Sequence, residues 1–294
     1  MPPARPVRQP VRRHSQGRLA LFDAVEGTAA LLGGRAWYAR RWLSARRLLL
    51  RREVVPVGCA LGSHSRVRIA QLSDLHAGRL FNARSLEPVV DRLLGEGVDA
   101  VALTGDFIAH EVEAGVALRQ PLARLARAAP LGAYAVFGNH DYRGRREQAL
   151  VQALSSEGWT FLRNDAARLG DLPLWLSGIE DPEEGRLVDI QAARAPIPDG
   201  AVEVCLCHNP SAGPALARPG CVAILSGHTH GRQIDLPLLR DLGPRHPGTR
   251  VQLGPTRLVV SRGLGVVGVP LRCRVPAEVV LLDLVPGGEP PPSP

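Results

Sequence analysis

A chain of 294 residues, 45% of them hydrophobic, is long enough to bury one large core, and this composition excludes a disordered or fibrous protein. Every basic residue is an arginine, and the net charge of +8 is confined to one end: residues 1–66 carry 13 arginines against Asp23, Glu26 and Glu53, whereas residues 67–294 carry 23 against 25 acids. With a near-neutral body, no recognition motif and only 4% aromatic residues, no nucleic-acid partner is expected, and the lack of an apolar run of about 20 residues excludes a membrane-spanning helix.

In chain order, residues 1–18 are rich in Pro and Arg and are expected to be disordered. The pair Arg12-Arg13 precedes an apolar stretch broken by Asp23 and Glu26, a poor secretion signal. Five cysteines, an odd number without CxxC, argue against a disulfide framework and for a reducing, cytoplasmic setting. Residues 19–66 are expected to form a basic amphipathic helical extension, with two helices broken at Gly33-Gly34. In the second, Tyr38, Trp42, Ala45 and Leu49 share one face, and Arg40, Arg47 and Arg51 another. Two readings stand open. Residues 35–52 lie on an anionic membrane surface at the inner face of the membrane, or the helix packs on the domain with its basic face in water.

From residue 67 to 286 the pattern alternates between strand and helix. Strands are expected at 67–73, 99–105, 132–138, 174–180, 202–207, 222–227, 257–263 and 277–284, with helices at 84–95, 113–128 and 143–155. This alternation predicts an α/β architecture. Cys205 and Cys207 in VEVCLC are expected to pack in the core. The tail 287–294 is expected to be disordered.

Five of these strands end in small clusters of His, Asp or Asn: SDLHAG (Asp74, His76), TGD (Asp106), GNHDY (Asn139, His140, Asp141), CHN (His208) and SGHTHG (His228, His230). In open α/β sheets, sites form beyond the carboxyl ends of strands, so one shared site is the economical reading. The set is carboxylate, imidazole and carboxamide without thiolate, which suits Mn²⁺, Fe²⁺ or Zn²⁺ rather than a structural zinc. Seven candidates are too many for one ion, whereas two divalent ions sharing a bridging carboxylate would use them all.

The motifs DLH, GD, GNHD, a lone His after a strand and GHTH, in this order, resemble those of the calcineurin-like metallophosphoesterases over roughly residues 67–284. The resemblance implies a four-layer αββα sandwich of two mixed β-sheets. It implies Asp74, His76 and His230 on one metal, Asn139, His208 and His228 on the other, and Asp106 bridging. His140 is then not a ligand but faces the substrate, stabilising the phosphoryl group or aiding the leaving group. The activity implied is hydrolysis of a phosphate ester or anhydride by metal-activated water, with no phospho-enzyme. SDLHAG, GNHDY, GIEDP, CHNP, GHTHG-Q and SRGLG…G.P.R…PAEVVLLDL further resemble the YkuE/YaeI-like bacterial phosphodiesterases, relatives of UDP-2,3-diacylglucosamine pyrophosphatases. A lipid-linked phosphoester at the membrane surface is therefore one expected substrate; a nucleotide or other small phosphoester is the alternative, and a non-catalytic scaffold would be expected to have lost ligands.

Arg232 stands where that subfamily has a second glycine, and either contacts a substrate phosphate or points to solvent. Asp141 is expected to cap the helix at 143, Asp181 to be structural and Asn209-Pro210 to shape a turn. Arg143, Arg145 and Arg146 either approach a polyanionic substrate or, the preferred reading, form a solvated helix face, and His14, His64, His110 and His246 are read as solvent-exposed.

Overall fold

A computed structural model describes residues 16–44, 46–185, 187–237 and 245–287, with side chains from Ala24 onward. Most of the expected disordered segments 1–18 and 287–294 lies outside these residues, as do His14 and Ala45.

Twelve strands are present among the described residues. They are β1 (Leu49–Val57), β2 (Val67–Leu72), β3 (Ala100–Thr104), β4 (Ala133–Val136), β5 (Trp159–Phe161) and β6 (Asp165–Arg168). The rest are β7 (Leu174–Gly178), β8 (Val202–Leu206), β9 (Cys221–Ser226), β10 (Arg250–Leu253), β11 (Thr256–Val260) and β12 (Glu278–Pro286). They form two six-stranded sheets, ordered β1-β12-β2-β3-β4-β5 and β10-β11-β9-β8-β7-β6. Each is mixed: β12 runs antiparallel to β2, and β6 and β10 run antiparallel to their neighbours β7 and β11.

The central strands read as continuous apolar runs because both faces are covered. Val67, Ile69, Ala100, Ala102 and Val136 of the first sheet meet Leu176, Val204, Leu206, Leu225 and Val259 of the second in an inter-sheet core. The outer face of the first sheet, with Ala70, Leu72, Val101 and Leu103, packs on helices α3 (Ala83–Leu94), α4 (Arg119–Ala128) and α5 (Glu147–Ser155). The outer face of the second sheet holds Cys205, Cys207, Cys221, Ile224 and Val260, covered in part by Ala193 and Leu216. The layers are thus α, β, β, α, as expected. All five cysteines are free, and burial pushes the Cys205 thiol up to about 12, which leaves it an inert packing group.

The N-terminal region departs from the expected helix over 35–52. Helix α1 (Gln16–Leu31) ends at the predicted glycine break, and α2 (Gly34–Tyr38) runs into a π-helical turn, Ala39–Leu43. Leu49 to Arg52 then belong to strand β1, parallel to β12. The boundary expected at residue 66 therefore falls inside the first sheet. Tyr38, Trp42 and Leu43 are buried in the core against the first sheet and its helices. Arg51 is paired with Glu53 and Glu278 instead of sharing a basic helical face with Arg40 and Arg47. Leu49 continues the helical spacing of Tyr38 and Trp42, but from Glu53 to Val57 burial alternates as in a strand, and β12 offers backbone partners along its edge.

Candidate metal centre

Strands β2, β3 and β4 are parallel, as are β8 and β9, so their carboxyl ends bring five loops together at the top of the two sheets. The loops are held in register by backbone bonds: Asp74 N–H to Gly105 O (3.0 Å), His76 N–H to Asp106 O (3.0 Å) and Gly227 N–H to His208 O (2.9 Å). Asp74, His76, Asp106, His228 and His230 all have left-handed backbones, with φ of 53°, 45°, 55°, 69° and 49°. This conformation costs a non-glycine residue about 1 kcal/mol or more, so its concentration at five candidate ligands marks the place where the fold stores strain. Glycines permit the crowding. A Cβ on Gly105 (φ 86°) would stand 2.5 Å from Gly138 N and 2.7 Å from His208 Nδ1.

The seven candidate ligands expected from sequence converge. His76 Nε2 lies 2.9 Å from His230 Nε2, and His230 Nε2 lies 3.3 Å from Asp74 Oδ1. On the other side, His228 Nδ1 lies 3.0 Å from Asn139 Oδ1, and the rings of His208 and His228 are 5.2 Å apart. Asp106 Oδ2 sits between the two groups, 3.4 Å from His76 Nε2 and 3.3 Å from His208 Nε2. Asp74, His76 and His230 offer ligand atoms all within 4.8 Å of one another, as do Asp74, Asp106 and His208.

This donor set fits metal ions. Burial drives the pKa of His76 down to about 4, that of His228 to about 3 and that of His230 well below its usual range. These rings are therefore neutral near pH 7, with ring nitrogens facing one another and carboxylate oxygens. Buried nitrogens left without a hydrogen-bond partner, His76 Nδ1, His208 Nε2 and His230 Nδ1, beside carboxylates are a donor set that a cation would satisfy. The tautomer of His208 is set by Thr104 O, 2.7 Å from its Nδ1, which leaves Nε2 facing Asp106. The Asp106 charge raises the His208 pKa against its burial, and the surrounding imidazoles hold Asp106 itself well below the usual carboxylate range. Ser73 Oγ donates to Asp74 Oδ2 at 2.6 Å and fixes that carboxylate.

His140 faces the same space. Its ring stands edge-on to His76 at 4.6 Å, its backbone N–H donates to Asp106 Oδ1 (2.9 Å), and its Nδ1 lies 2.9 Å from Ala109 O. With Nδ1–H donating to that carbonyl, Nε2 is the free nitrogen.

Several neighbours differ from expectation. Asp141 does not cap a helix starting at 143; it lies inside the 3-10 turn Asn139–Arg145 and accepts the N–H of its N-cap residue Gly138. Its Oδ2 accepts from the backbone N–H of Asp106 and Gly138, and its Oδ1 from Phe107 and Ile108, at 2.8–3.2 Å. Burial and the Asp106 charge push its pKa up to about 8, but two N–H donors on each oxygen leave no room for a carboxyl proton, so the geometry is that of a carboxylate. Arg143 is not a solvated face residue. It is partly buried in the turn Asn139–Arg145, donates to the same Ala109 O as His140 (3.3 Å), and its charge acts on His76 and His140. His246 is not solvent-exposed: it is half-buried with Nδ1 2.9 Å from Thr229 Oγ1, between the two histidines of GHTH. His64 and His110 are exposed as expected. Arg232 has φ 75°, and its charge bears on that same His246. Sequence reasoning passed over Glu183, whose Oε2 lies 3.5 Å from His228 Nε2. Only its place in GIEDPEE, after a strand of the second sheet, hinted at the site.

The calcineurin-like phosphoesterase family profile matches residues 67–232, which contain all seven candidate ligands. This chain is a calcineurin-like phosphoesterase. The phosphoesterase is 26% identical over 280 residues to the uncharacterized metallophosphoesterase YkuE of Bacillus subtilis, covering 90% of this chain and 94% of that one. It is 29% identical over 229 residues to phosphodiesterase YaeI of Escherichia coli, covering 74% and 82%. It is also 28% identical over 245 residues to the transmembrane protein with metallophosphoesterase domain of Danio rerio, covering 78% of this chain and 56% of that protein. Family and site together make it a metal-dependent phosphoester hydrolase that uses divalent ions. No helix among the described residues is long and apolar enough to cross a membrane.

Proposed function

We infer that this phosphoesterase hydrolyses a phosphodiester or pyrophosphate bond in a lipid-linked substrate, a phospholipid or a UDP-2,3-diacylglucosamine-like molecule, at the inner face of a membrane. The observation that carries the hydrolytic part is the single oxygen Asp106 Oδ2 standing between two groups of ligands. Asp74, His76 and His230 would hold one ion, Asn139, His208 and His228 the other, and Asp106 both; Mn²⁺, Fe²⁺ and Zn²⁺ all suit this set. When bound, paired ions supply Lewis acidity toward phosphoryl oxygens and a water of lowered pKa.

The chain's own residues do the rest. His140, anchored through Nδ1, presents Nε2 to the phosphoryl or leaving oxygen. Asn139 lies beside it at the substrate side. Arg143 supplies a fixed positive charge next to His140, and Arg232 is a second cation that would meet a substrate phosphate. The lipid part rests on likeness: a relative named phosphodiesterase YaeI, and another whose name places this domain in a transmembrane protein. A soluble nucleotide or other small phosphoester is the second reading. Burial of Tyr38 and Trp42, which removes the expected aromatic face from any membrane, favours it. A non-catalytic scaffold fits poorly with seven intact, converging ligands.

The test is a hydrolysis panel in Mn²⁺ with an aryl phosphodiester, UDP-2,3-diacylglucosamine, phospholipids, cyclic nucleotides and phosphomonoesters. The expected result is turnover of the diester and of one lipid-linked compound, abolished in Asp106→Asn. Arg143→Leu should raise KM several-fold with kcat held. Turnover of nucleotides alone would replace the lipid reading, and full activity in Asp106→Asn would remove the metal-centre reading.

A further inference from the structure

The helical extension does present an apolar surface, but not the one its periodicity suggests. Tyr38 is fully buried, while Leu31, Leu32 and Trp37, around the turn between α1 and α2, are 89%, 84% and 49% exposed. Arg35, Arg40 and Arg41 are exposed on the same short segment, and no acidic residue occurs from Gly27 to Arg52. Single exposed apolar residues are ordinary, but a group of them rimmed by polar residues marks an interaction site. A few apolar groups ringed by cations, with no acid among them, complement an anionic lipid surface: the apolar groups enter the acyl boundary and the arginines stay at headgroup level.

This tip is tied to segments that adjoin the ligand-bearing loops. Tyr38 Oη donates to Leu264 O at 2.5 Å, and Arg272 Nε donates to Tyr38 Oη. The loop it touches carries Val267, Val269 and Leu271, all partly exposed, and is pinned to the ligand segments by Leu264 N–H to Ser73 O and Gly265 N–H to Asp74 O. Gln233, three residues past His230, holds the other side of that loop through Val267 and Val269. From the hairpin itself, Arg35 Nε donates to Arg79 O, three residues beyond His76.

We propose that Leu31, Leu32 and Trp37, with Arg35, Arg40 and Arg41, form a docking tip for an anionic bilayer, and that the loop of Val267, Val269 and Leu271 continues this surface to the rim of the metal centre. The docked enzyme meets phosphoester headgroups at the bilayer surface without crossing it. The proposal rests on the lipid-linked reading above for its purpose, but not for its test.

The experiment is co-sedimentation of the full chain with phosphatidylcholine vesicles, with and without phosphatidylglycerol, alongside hydrolysis of a soluble aryl phosphodiester. The expected result is binding to the anionic vesicles only. Binding should fall about ten-fold or more in Leu31→Ser/Leu32→Ser/Trp37→Ser and weaken with salt in the parent, while soluble hydrolysis shows the variant to be folded. Arg35→Gln/Arg40→Gln/Arg41→Gln, which leaves the apolar groups in place, should also lose anionic selectivity. Parent protein that stays in the supernatant, or a triple-serine variant that binds as well as the parent, overturns the proposal. So does a dimer that disappears in the triple-serine variant, which would assign the tip to a second copy of the chain. Vesicle binding without turnover of any lipid-linked compound would keep the docking tip and remove the lipid-substrate reading.

Discussion

Each carboxylate oxygen of Asp141 accepts two backbone N–H groups, and the four donors come from both the Gly105-Asp106 and the Gly138-Asn139 loops. Asp141 is therefore the clasp that sets the spacing between Asp106 and Asn139, although these four bonds touch no candidate ligand side chain. Asp141→Asn replaces one oxygen with an NH₂ group that faces N–H donors, leaving buried donors unsatisfied at a cost of about 1–3 kcal/mol. The expected outcome is a folded protein whose metal affinity, read by calorimetric titration with Mn²⁺, falls by about 10–100-fold. Unchanged affinity would mean that the loops hold their positions without it. The sequence offered GNHD as a unit but could not say which way the Asp turned. Helix capping and loop clasping both use a carboxylate accepting N–H bonds, and only the position of the β3 loop distinguishes them.

At the scale of elements, Arg272 explains the run SRGLG…G.P.R. It is 1% exposed, and its guanidinium donates to the carbonyls of Arg262, Gly263, Gly265 and Pro276. No carboxylate is among these acceptors; a cage of carbonyl dipoles replaces the water that a buried cation loses. The caged loop is the one that backs Asp74 and supports Tyr38. Arg272→Met would leave several buried carbonyls without donors and should destabilise the fold by about 3 kcal/mol in urea unfolding. A loss below about 0.5 kcal/mol would show that solvent reaches the cage in solution. The same scale explains the misread extension. Tyr38, Trp42 and Leu49 do fall at helical spacing, but the chain leaves the helix at Leu43 because β12 has an edge to fill. Nine residues from Leu49 to Val57 fill it in parallel register. Helical periodicity in a short apolar stretch is weak evidence when an open sheet edge competes for it.

For the whole molecule, the crowded ligands predict a stability coupled to metal. An ion that binds the folded state alone stabilises it by about 2.7 kcal/mol at a hundred times its dissociation constant, so thermal melts should rise by several degrees with Mn²⁺ and fall back with a chelator. Melts indifferent to both would argue against a metal at this centre. Much of this molecule was legible in one dimension. The eight strands expected from apolar runs are all present, because a strand covered on both faces is mostly apolar. The seven candidate ligands follow from the polar clusters that end them. Short edge strands β5, β6 and β10 were not legible: Asp165–Arg168 and Arg250–Leu253 are 4 residues each and partly solvent-facing, too short for an alternation such as that of Val251 and Leu253 to stand out. What the sequence alone determined is the set of donor atoms and the strands that deliver them, since both are local properties of short segments. Only the tertiary structure decided which donors face each other across Asp106, that Asp141 clasps two loops, that Arg143 and Glu183 adjoin the centre, and which side of the N-terminal hairpin is left open to a partner. Those are relations between segments far apart in the chain, and they are fixed by how two sheets stack and not by any pattern within one of them.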